Sequence, residues 1–439
     1  MRPKGAHFLA FMQHGLSSHA VGMWRHRQDK VGWDFARPEY WEHLARTLER
    51  GLFDGIFLAD ELAPYNSFDG SADETVRYAV QFPTHEPAAL TTIISRATKH
   101  LGVGLTLSTA FEHPYSMARR LSTLDHLTDG RLAWNIVGSY SPSEWDAYGQ
   151  QMPDRSTRYE RISEYVDVCR QLWNSWEPDA IIADPETGIF ADPAKIREID
   201  HQGTHFTCRA RHFVTPSPQG TPVLWQAGSS PQGREFAAST ADAIFAIHPD
   251  LSTMRAYTDD ITRRIAGAGR DPEEVKLYYG VQPIVAPTSL EAHRKAEEID
   301  ALVHDGASLA MLSGQLGIDF SRYAPDAALV DIDVPGIQGV KDALTAQGVE
   351  GAEVTIAEAA RIYSARFSMP RLIGSPEEVA DQLEVFMDEG GADGFILLAT
   401  YTPGCFEEFV DLVIPELQRR GRYRTRYPGP TLRDNIRND

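Results

Sequence analysis

The sequence is poor in cysteine. Only Cys169, Cys208 and Cys405 occur among the 439 residues, and they lie far apart in the chain. This spacing excludes a disulfide framework and any Cys-x-x-Cys metal site. Such a composition fits a reducing compartment, and we therefore expect a cytoplasmic protein.

Long apolar runs are also missing. The run from Phe8 to Met12 is too short for the core of a signal peptide. No stretch of the sequence approaches the apolar length that a membrane span needs. We therefore expect no membrane partner.

Positive charge is scarce. The chain has 42 Lys and Arg against 62 Asp and Glu, which gives a formal net charge of −20. An acidic surface repels phosphate backbones, so nucleic acid is excluded as a general partner. A local basic pocket for one phosphate group is still compatible with this charge.

The chain contains eight short apolar runs of strand type, each followed by a helical pattern. Eight strand-then-helix units predict a (β/α)₈ TIM barrel rather than an open doubly wound sheet, with residues 1–439 as one domain. The predicted strands are Ala6–Met12, Gly55–Asp60, Leu101–Thr109, Arg131–Ser139, Thr221–Gly228, Asp242–Ile247, Val275–Val285 and Gly394–Ala399. The clearest helices are Pro38–Arg50, Pro87–His100, His113–Leu127, about Thr157–Trp176, Pro231–Ser239, and Ser375 to about Glu389.

Three intervals are too long to be simple connections, at about 60–87, 177–220 and 305–372. Long insertions in a barrel build the face at the carboxyl ends of the strands, where ligands bind. The first and third intervals are our candidate lids.

Polar residues follow several predicted strands, at the end where a barrel binds ligands. Small hydroxyls, one amide and one carboxylate suit a neutral heteroaromatic ring better than a metal ion. Asn135 stands out because an amide inside an apolar run must find partners, either as a satisfied core group or as a ligand-facing group. The candidates are Asp60, Thr106, Ser108, Asn135, Val137, Ser139, Gly228, Ser229, Ser230 and His248.

The loop from Ala227 to Gly233 is a candidate phosphate site. A Gly-Ser loop that leads into a helix presents free backbone N–H groups and hydroxyls, although a plain turn with a serine N-cap gives the same pattern. Arg158 and Tyr159 could supply a guanidinium and a phenol to the same anion, or could form a solvated helix end.

Histidines and aromatic residues crowd the first loop and the second strand. The spacings of His14, His19 and His26 are not those of a zinc-binding pair, so we predict no metal. His19 is the candidate proton donor, with a structural histidine as the alternative. Phe11 and Phe57 could line an apolar substrate pocket or belong to the core.

Nine stretches of sequence, spread over nearly the whole chain, carry a family resemblance. They are Ser18–Arg25, Leu44–Asp54, Phe57–Asp60, Leu124–Arg131, Trp134–Val137, Leu172–Trp176, Ser217–Gly220, Gln226–Gly233 and Ala392–Phe395. Together they resemble the bacterial-luciferase-like flavin-dependent monooxygenases, in the branch of nitrilotriacetate, EDTA and dibenzothiophene-sulfone monooxygenases. The set is specific for the branch but not for one substrate.

The resemblance implies a two-component enzyme. Reduced FMN would come from a separate NAD(P)H:flavin reductase, and O₂ would be the co-substrate. One oxygen atom would enter a small organic substrate of aromatic or xenobiotic type. The resemblance also implies a homodimer or homotetramer.

The resemblance assigns roles to individual residues. Asp60, Thr106, Asn135 and Val137 would surround the isoalloxazine ring, and Tyr159, Gly228, Ser229 and Ser230 would hold the ribityl phosphate. His19, Ser139 and Asn135 would be catalytic. The resemblance also places Gln315 in the substrate pocket, where the aromatic side chains of Phe11 and Phe57 already predict an apolar lining. Gln315 stands where the sulfone-oxidising members carry a histidine, and glutamine can hydrogen-bond but cannot transfer a proton at neutral pH.

Several readings remain open at this point. A deazaflavin (F420)-dependent dehydrogenase on the same fold would transfer hydride without O₂, and a non-catalytic flavin-binding barrel would only bind. A hydrolase is disfavoured because the sequence has no Gly-x-Ser-x-Gly motif. An aminopolycarboxylate substrate needs several basic partners, and Arg25, Arg27, Lys30 and Arg77 are the residues placed to supply them.

Overall fold

A closed barrel of eight parallel strands forms the centre of the computed structural model. The strands are β1 (His7–Gln13), β2 (Gly55–Ala59), β3 (Gly102–Ser108), β4 (Leu132–Val137), β5 (Val223–Gln226), β6 (Ala243–Ala246), β7 (Lys276–Val285) and β8 (Gly394–Leu398). They neighbour one another in the order β6-β5-β4-β3-β2-β1-β8-β7, and pairing of β6 with β7 closes the ring. The predicted (β/α)₈ barrel is therefore confirmed.

The structure describes residues 5–16, 19–334, 336–347 and 353–437. Ser18, the first residue of one stretch that carries the family resemblance, lies outside these ranges. Residues 335 and 348–352 of the third predicted insertion also lie outside them.

The longer helices surround the barrel and cover its carboxyl end. They are α1 (Pro38–Arg50), α2 (Leu90–Ala97), α3 (Pro114–Leu127), α4 (Arg155–Trp173), α5 (Pro231–Thr240), α6 (Leu251–Gly267), α7 (Ser289–Asp300), α8 (Asp305–Leu316), α9 (Gln338–Thr345), α10 (Ile356–Arg366) and α11 (Pro376–Asp388). Shorter helices lie at Asp73–Arg77, Pro142–Ala147, Gly404–Glu408, Ile414–Arg419 and Leu432–Arg437. Among the described residues, none of the helices has the length and hydropathy to cross a bilayer.

Two predicted helix boundaries need correction. The helix predicted from about Thr157 to Trp176 begins at Arg155, because the Asp154 side chain accepts a hydrogen bond from Thr157 N and caps it, and it ends at Trp173. The helix predicted at Pro87–His100 is a 3₁₀ turn at Pro87–Ala89 followed by α2.

Aromatic side chains fill the inside of the barrel. The rings of Phe57 and Trp225 stack with their centroids 5.5 Å apart. A Cβ atom on Gly104 of β3 would lie 1.8 Å from the Trp225 ring, so this strand position has room for glycine alone. The barrel is therefore a packed core, and ligands must bind above it.

The first and third insertions form a cap over the carboxyl ends of the strands. Tyr65 and Val80 from the first insertion pack with Met311 of α8 and Tyr363 of α10 in an apolar cluster of their own. We call the described residues of segments 60–87 and 305–372 the cap. One further strand, Arg371–Gly374, was not predicted and pairs with the end of β7.

The second insertion, residues 177–220, has a different position. It contains two hairpins, Ile181–Asp184 with Ile189–Ala191 and Ile199–Gln202 with Thr207–Ala210. His201 Nε2 lies 3.1 Å from Glu164 Oε1 on α4. This insertion follows α4 rather than a strand and packs along the outside of that helix.

Candidate functional site

The ends of β3 and β4 place an amide beside a hydroxyl. Thr106 and Asn135 are paired in register, and Asn135 Nδ2 donates a hydrogen bond to Thr106 Oγ1 at 3.0 Å. Asn135 is buried, yet its Oδ1 atom has no partner among the described residues. Buried polar atoms are almost always paired, so this oxygen is available for a ligand.

Ser139 lies immediately beyond the end of β4. Its φ angle is 51°, in the left-handed region that non-glycine residues rarely adopt. The turn is held by Trp145 Nε1, which donates to the Ser139 carbonyl at 3.1 Å. The Ser139 Oγ atom lies 2.8 Å from Ser108 Oγ at the end of β3.

Asp60 follows β2 at the same level. Burial raises the pKa of its carboxyl to about 8, and the charges of Glu86 and Glu144 act in the same direction. At neutral pH the carboxyl therefore carries its proton and can donate a hydrogen bond.

The loop after β5 has the geometry of an anion site. Ser230 Oγ accepts a hydrogen bond from Gly233 N at 3.1 Å and caps α5, and Tyr159 OH lies 3.5 Å from Ser230 Oγ. A Cβ on Gly228 would lie 2.4 Å from the Gly233 carbonyl oxygen, so the tight loop requires glycine. The N-terminus of a helix favours negative charge through its free N–H groups and its dipole.

A cavity of about 550 Å³ joins this loop to the end of β4. It brings together six of the residues that the sequence suggested, and two arginines from the start of α4 add positive charge. The lining includes Val137, Ser139, Arg155, Arg158, Tyr159, Gln226, Gly336, Ile337, Ser229 and Ser230. Gly228 shapes the loop beneath it.

A second cavity, of about 440 Å³, lies on the other side of the same loop. Ala227, Ser229 and Ile337 line both cavities. Most other lining side chains are apolar and come from β6, α6, α9 and α10. Burial lowers the pKa of His248, at the end of β6, to about 4, so this histidine is uncharged at neutral pH.

His19 lies between two phenylalanines. Its ring is stacked on Phe11, with centroids 4.4 Å apart, and meets Phe367 edge-on at 4.6 Å. Burial lowers the pKa of His19 to about 3, so it is a neutral imidazole at physiological pH. Its Nδ1 has no partner among the described residues. Proton donation by His19 stays a prediction.

The predicted substrate-pocket residues lie behind the two cavities. Phe11 and Phe57 are buried and pack against Phe245, which lines the second cavity. Gln315 on α8 is buried, and its amide nitrogen donates to Tyr65 OH. Their contact with substrate stays a prediction.

The sequence did not predict a polar network at the junction of the cap and the barrel. Tyr140 OH donates to Glu61 Oε1 at 3.0 Å, and Tyr65 OH lies 3.1 Å from the same oxygen. Gln81 Oε1 lies 2.7 Å from Tyr65 OH, and Glu144 Oε1 accepts from Leu62 N at 3.0 Å. The one available signal was the pair Asp60-Glu61 at the end of a buried strand.

The sequence matches the model of a known family. The family model described as luciferase-like monooxygenase matches residues 9–394. The chain belongs to the luciferase-like monooxygenase family. It is accordingly an oxidoreductase, a flavin-dependent monooxygenase, and the resemblance inferred from the sequence is confirmed.

Three proteins illustrate what the chain is similar to. Dibenzothiophene-sulfone monooxygenase of Rhodococcus erythropolis strain XP is 38% identical over 440 residues, covering 98% of this chain and 96% of the relative. Nitrilotriacetate monooxygenase component A of Aminobacter aminovorans is 36% identical over 408 residues, covering 91% and 89%. The crystal structure of riboflavin lyase with modified FMN and riboflavin has a TM-score of 0.91 and 30% identity, covering 99% and 96%.

The residues of this luciferase-like site fit a flavin mononucleotide. Asn135 Oδ1 and Gln226 Oε1 are buried acceptors without partners among the described residues, which suits a ring N–H donor. The Gly228–Ser230 loop and the α5 N-terminus suit a phosphate. Within the described ranges, no group of three His, Cys, Asp or Glu side chains could hold a metal ion.

Proposed function

We propose that this enzyme is the oxygenase component of a two-component system. It takes reduced FMN from a separate NAD(P)H:flavin reductase and uses O₂ to oxygenate a small organic substrate. The observation that carries the proposal is the cavity of about 550 Å³ that joins Val137 and Ser139, at the end of β4, to the Ser229-Ser230 loop. The nitrilotriacetate relative is named component A, which supports a system in which the oxygenase and the reductase are separate proteins.

Reduced FMN, when bound, supplies the electrons that activate O₂. The protein positions the flavin and shields the reacting atoms from water. Asn135 and Thr106 would fix the ring through their amide and hydroxyl, and Tyr159, Ser229 and Ser230 would hold the phosphate. Asp60, protonated at neutral pH, would donate to a ring acceptor. His19 would hold or pass a proton through its imidazole nitrogens.

The cap would keep water from the reacting atoms. Tyr65 belongs to the apolar cluster of the cap, and its hydroxyl contacts Glu61 and Tyr140, which follow β2 and β4. Exclusion of water protects reactive intermediates and strengthens hydrogen bonds in the site. We therefore expect substrate access to require movement of the cap.

The test is a rapid mix of the protein and photoreduced FMN with oxygenated buffer, with and without candidate substrates. We expect substrate-dependent O₂ consumption and a product heavier by one oxygen atom. Hydride transfer to or from a deazaflavin without O₂ would favour the dehydrogenase. Tight FMN binding with no substrate-dependent O₂ uptake would favour a binding protein. Either of those results would overturn the proposal.

A further inference from the structure

Five side chains at the junction of the cap and the barrel form one cluster around the Glu61 carboxyl. Glu61 comes from the loop after β2, Tyr65 from the first insertion, Tyr140 and Glu144 from the segment after β4, and Gln315 from α8. We call these residues the Glu61 cluster. Tyr140 and Tyr65 both reach Glu61 Oε1, at 3.0 and 3.1 Å, and Gln315 Nε2 donates to Tyr65 OH.

Two hydrogen-bond acceptors in and beside the cluster have no partner among the described residues. Gln315 is 1% exposed, and its Oε1 atom has no hydrogen-bond partner among the described residues. Tyr363 of α10 is 0% exposed, and its OH is likewise without a partner within the described ranges. Leaving such groups unpaired costs roughly 1–3 kcal/mol each. A ligand rich in N–H donors would satisfy them.

The cluster also lacks a cation. Glu61 is faced by Asp60, Glu144, Tyr65, Tyr140 and Tyr363, all of which are neutral or negative. Within the described ranges, no lysine or arginine forms an ion pair with Glu61 or Glu144. A carboxyl in such surroundings keeps its proton until a positive group is brought to it. A positive charge from outside the chain would therefore find a countercharge at Glu61.

The aromatic residues around Glu61 suit the same ligand. Phenol rings attract cations through their π faces, and cages of aromatic rings recognise ammonium groups. Tyr140 lines the cavity of about 550 Å³, whereas Tyr363 lines the cavity of about 440 Å³. Tyr140 of the cluster thus borders the first cavity, and Tyr363, which faces Glu61, borders the second. An amine whose ammonium group lies at the cluster can therefore place its apolar body in the second cavity.

We propose that the Glu61 cluster binds the ammonium group of the substrate, so that the enzyme acts on small organic amines with an apolar body. This inference rests on the proposed oxygenase function and names its substrate class. Gln315 and Tyr363 accept N–H bonds from the ammonium, and Glu61 provides the countercharge.

Binding releases a proton. Burial raises the pKa of Glu61 well above its ordinary range, and the charge of Glu144 adds to the effect, so the empty site holds a neutral carboxyl. When an ammonium group enters, the carboxyl loses its proton to solvent and forms an ion pair with the ligand. Affinity therefore rises with pH until the Glu61 carboxyl of the empty site ionises without a ligand, and it falls again where the amine loses its charge, at about pH 10.

The test uses the full chain without flavin, so that it is independent of the oxygenase reaction. Benzylamine and benzyl alcohol, which have similar size and differ in charge, are titrated calorimetrically at pH 7.5 in two buffers of different ionisation enthalpy. We expect benzylamine to bind at least ~10-fold tighter and to release about one proton. Equal binding of the two compounds, or binding without proton release, would overturn the proposal.

Two variants locate the effect. Glu61→Gln keeps the shape and removes the acid, and we expect the preference for benzylamine to disappear. Glu42→Gln, an exposed residue that pairs with Arg46, is the matched control and leaves the preference intact. An unchanged preference in Glu61→Gln would contradict the assignment. Failure of the oxygenase proposal would instead appear as absent O₂ uptake with every substrate, whatever the binding result.

Discussion

The side-chain oxygens of Ser108 and Ser139 lie 2.8 Å apart, although 31 positions separate the two residues in the chain. Ser108 ends β3, and Ser139 occupies a left-handed turn just beyond β4. The contact fixes the Ser139 turn against the end of β3. It therefore gives the rim of the barrel at the ends of β3 and β4 a defined shape before any ligand binds.

Asn135→Ala is expected to weaken FMN binding roughly 10-fold, because it removes the unpaired Oδ1 acceptor and leaves Thr106 Oγ1 without its amide partner. Flavin fluorescence quenching during titration measures the change. Asn174→Ala, at an exposed helix end, serves as the control. Equal affinities of the two variants would remove Asn135 from the flavin site.

Ser230→Ala is expected to discriminate between FMN and riboflavin. Its hydroxyl caps α5 and faces the proposed phosphate, so FMN affinity should fall roughly 10-fold while riboflavin affinity stays within about twofold. Ser375→Ala removes an equivalent N-cap hydroxyl, which is also followed by proline, at the start of α11. Both variants should lose about 1 kcal/mol of stability. Only the first should change the ratio of the two affinities.

Gly228→Ala is expected to disrupt the phosphate loop. The added methyl group would meet the Gly233 carbonyl oxygen at 2.4 Å, and this carbonyl is a backbone group that cannot swing aside. We expect a loss of about 1–3 kcal/mol in stability and at least ~10-fold weaker FMN binding. Gly267→Ala at the end of α6 has open space around the new methyl and should be neutral or slightly stabilising. Chemical denaturation with parallel FMN titration compares the pair.

Asp60→Asn is expected to flatten the dependence of stability on pH. The pKa of Asp60 rises from 3.8 to about 8 on folding, because of burial and the charges of Glu86 and Glu144. Between these two values the folded protein keeps a proton that the unfolded chain releases, so stability falls as pH rises through this window.

Thermal unfolding of the cofactor-free protein between pH 5 and pH 8.5 tests this expectation. The midpoint of the wild type should fall more steeply than that of Asp60→Asn. Asp167→Asn, an exposed position on α4, should follow the wild type. Parallel curves for wild type and Asp60→Asn would show that the Asp60 carboxyl is not protonated in the folded state.

The barrel and much of its ligand-binding rim could be predicted from local sequence. A run such as Leu132–Val137 forces a buried strand, and its last residues must then lie at the carboxyl end of the barrel. The pairing of Thr106 with Asn135 follows from two strands being neighbours. These relationships depend on periodicity and chain order, which the sequence displays directly.

The Glu61 cluster could not be predicted in this way. Glu61 and Tyr140 come from irregular segments and Gln315 from α8, up to 254 positions apart, and no period in the sequence indicates that they meet. Their contact depends on how the cap folds onto the barrel. The position of residues 177–220 on the outer side of α4 also depends on tertiary packing, through contacts such as His201 with Glu164.

The cap draws its apolar cluster from two insertions that are distant in the chain, with Tyr65 and Val80 on one side and Met311 and Tyr363 on the other. A chimera that exchanges residues 60–87 alone with those of a relative would therefore leave mismatched halves facing each other. Transfer of substrate preference between members of this family should require both segments to be exchanged together. Directed evolution of the enzyme would gain most from libraries that vary the two segments jointly.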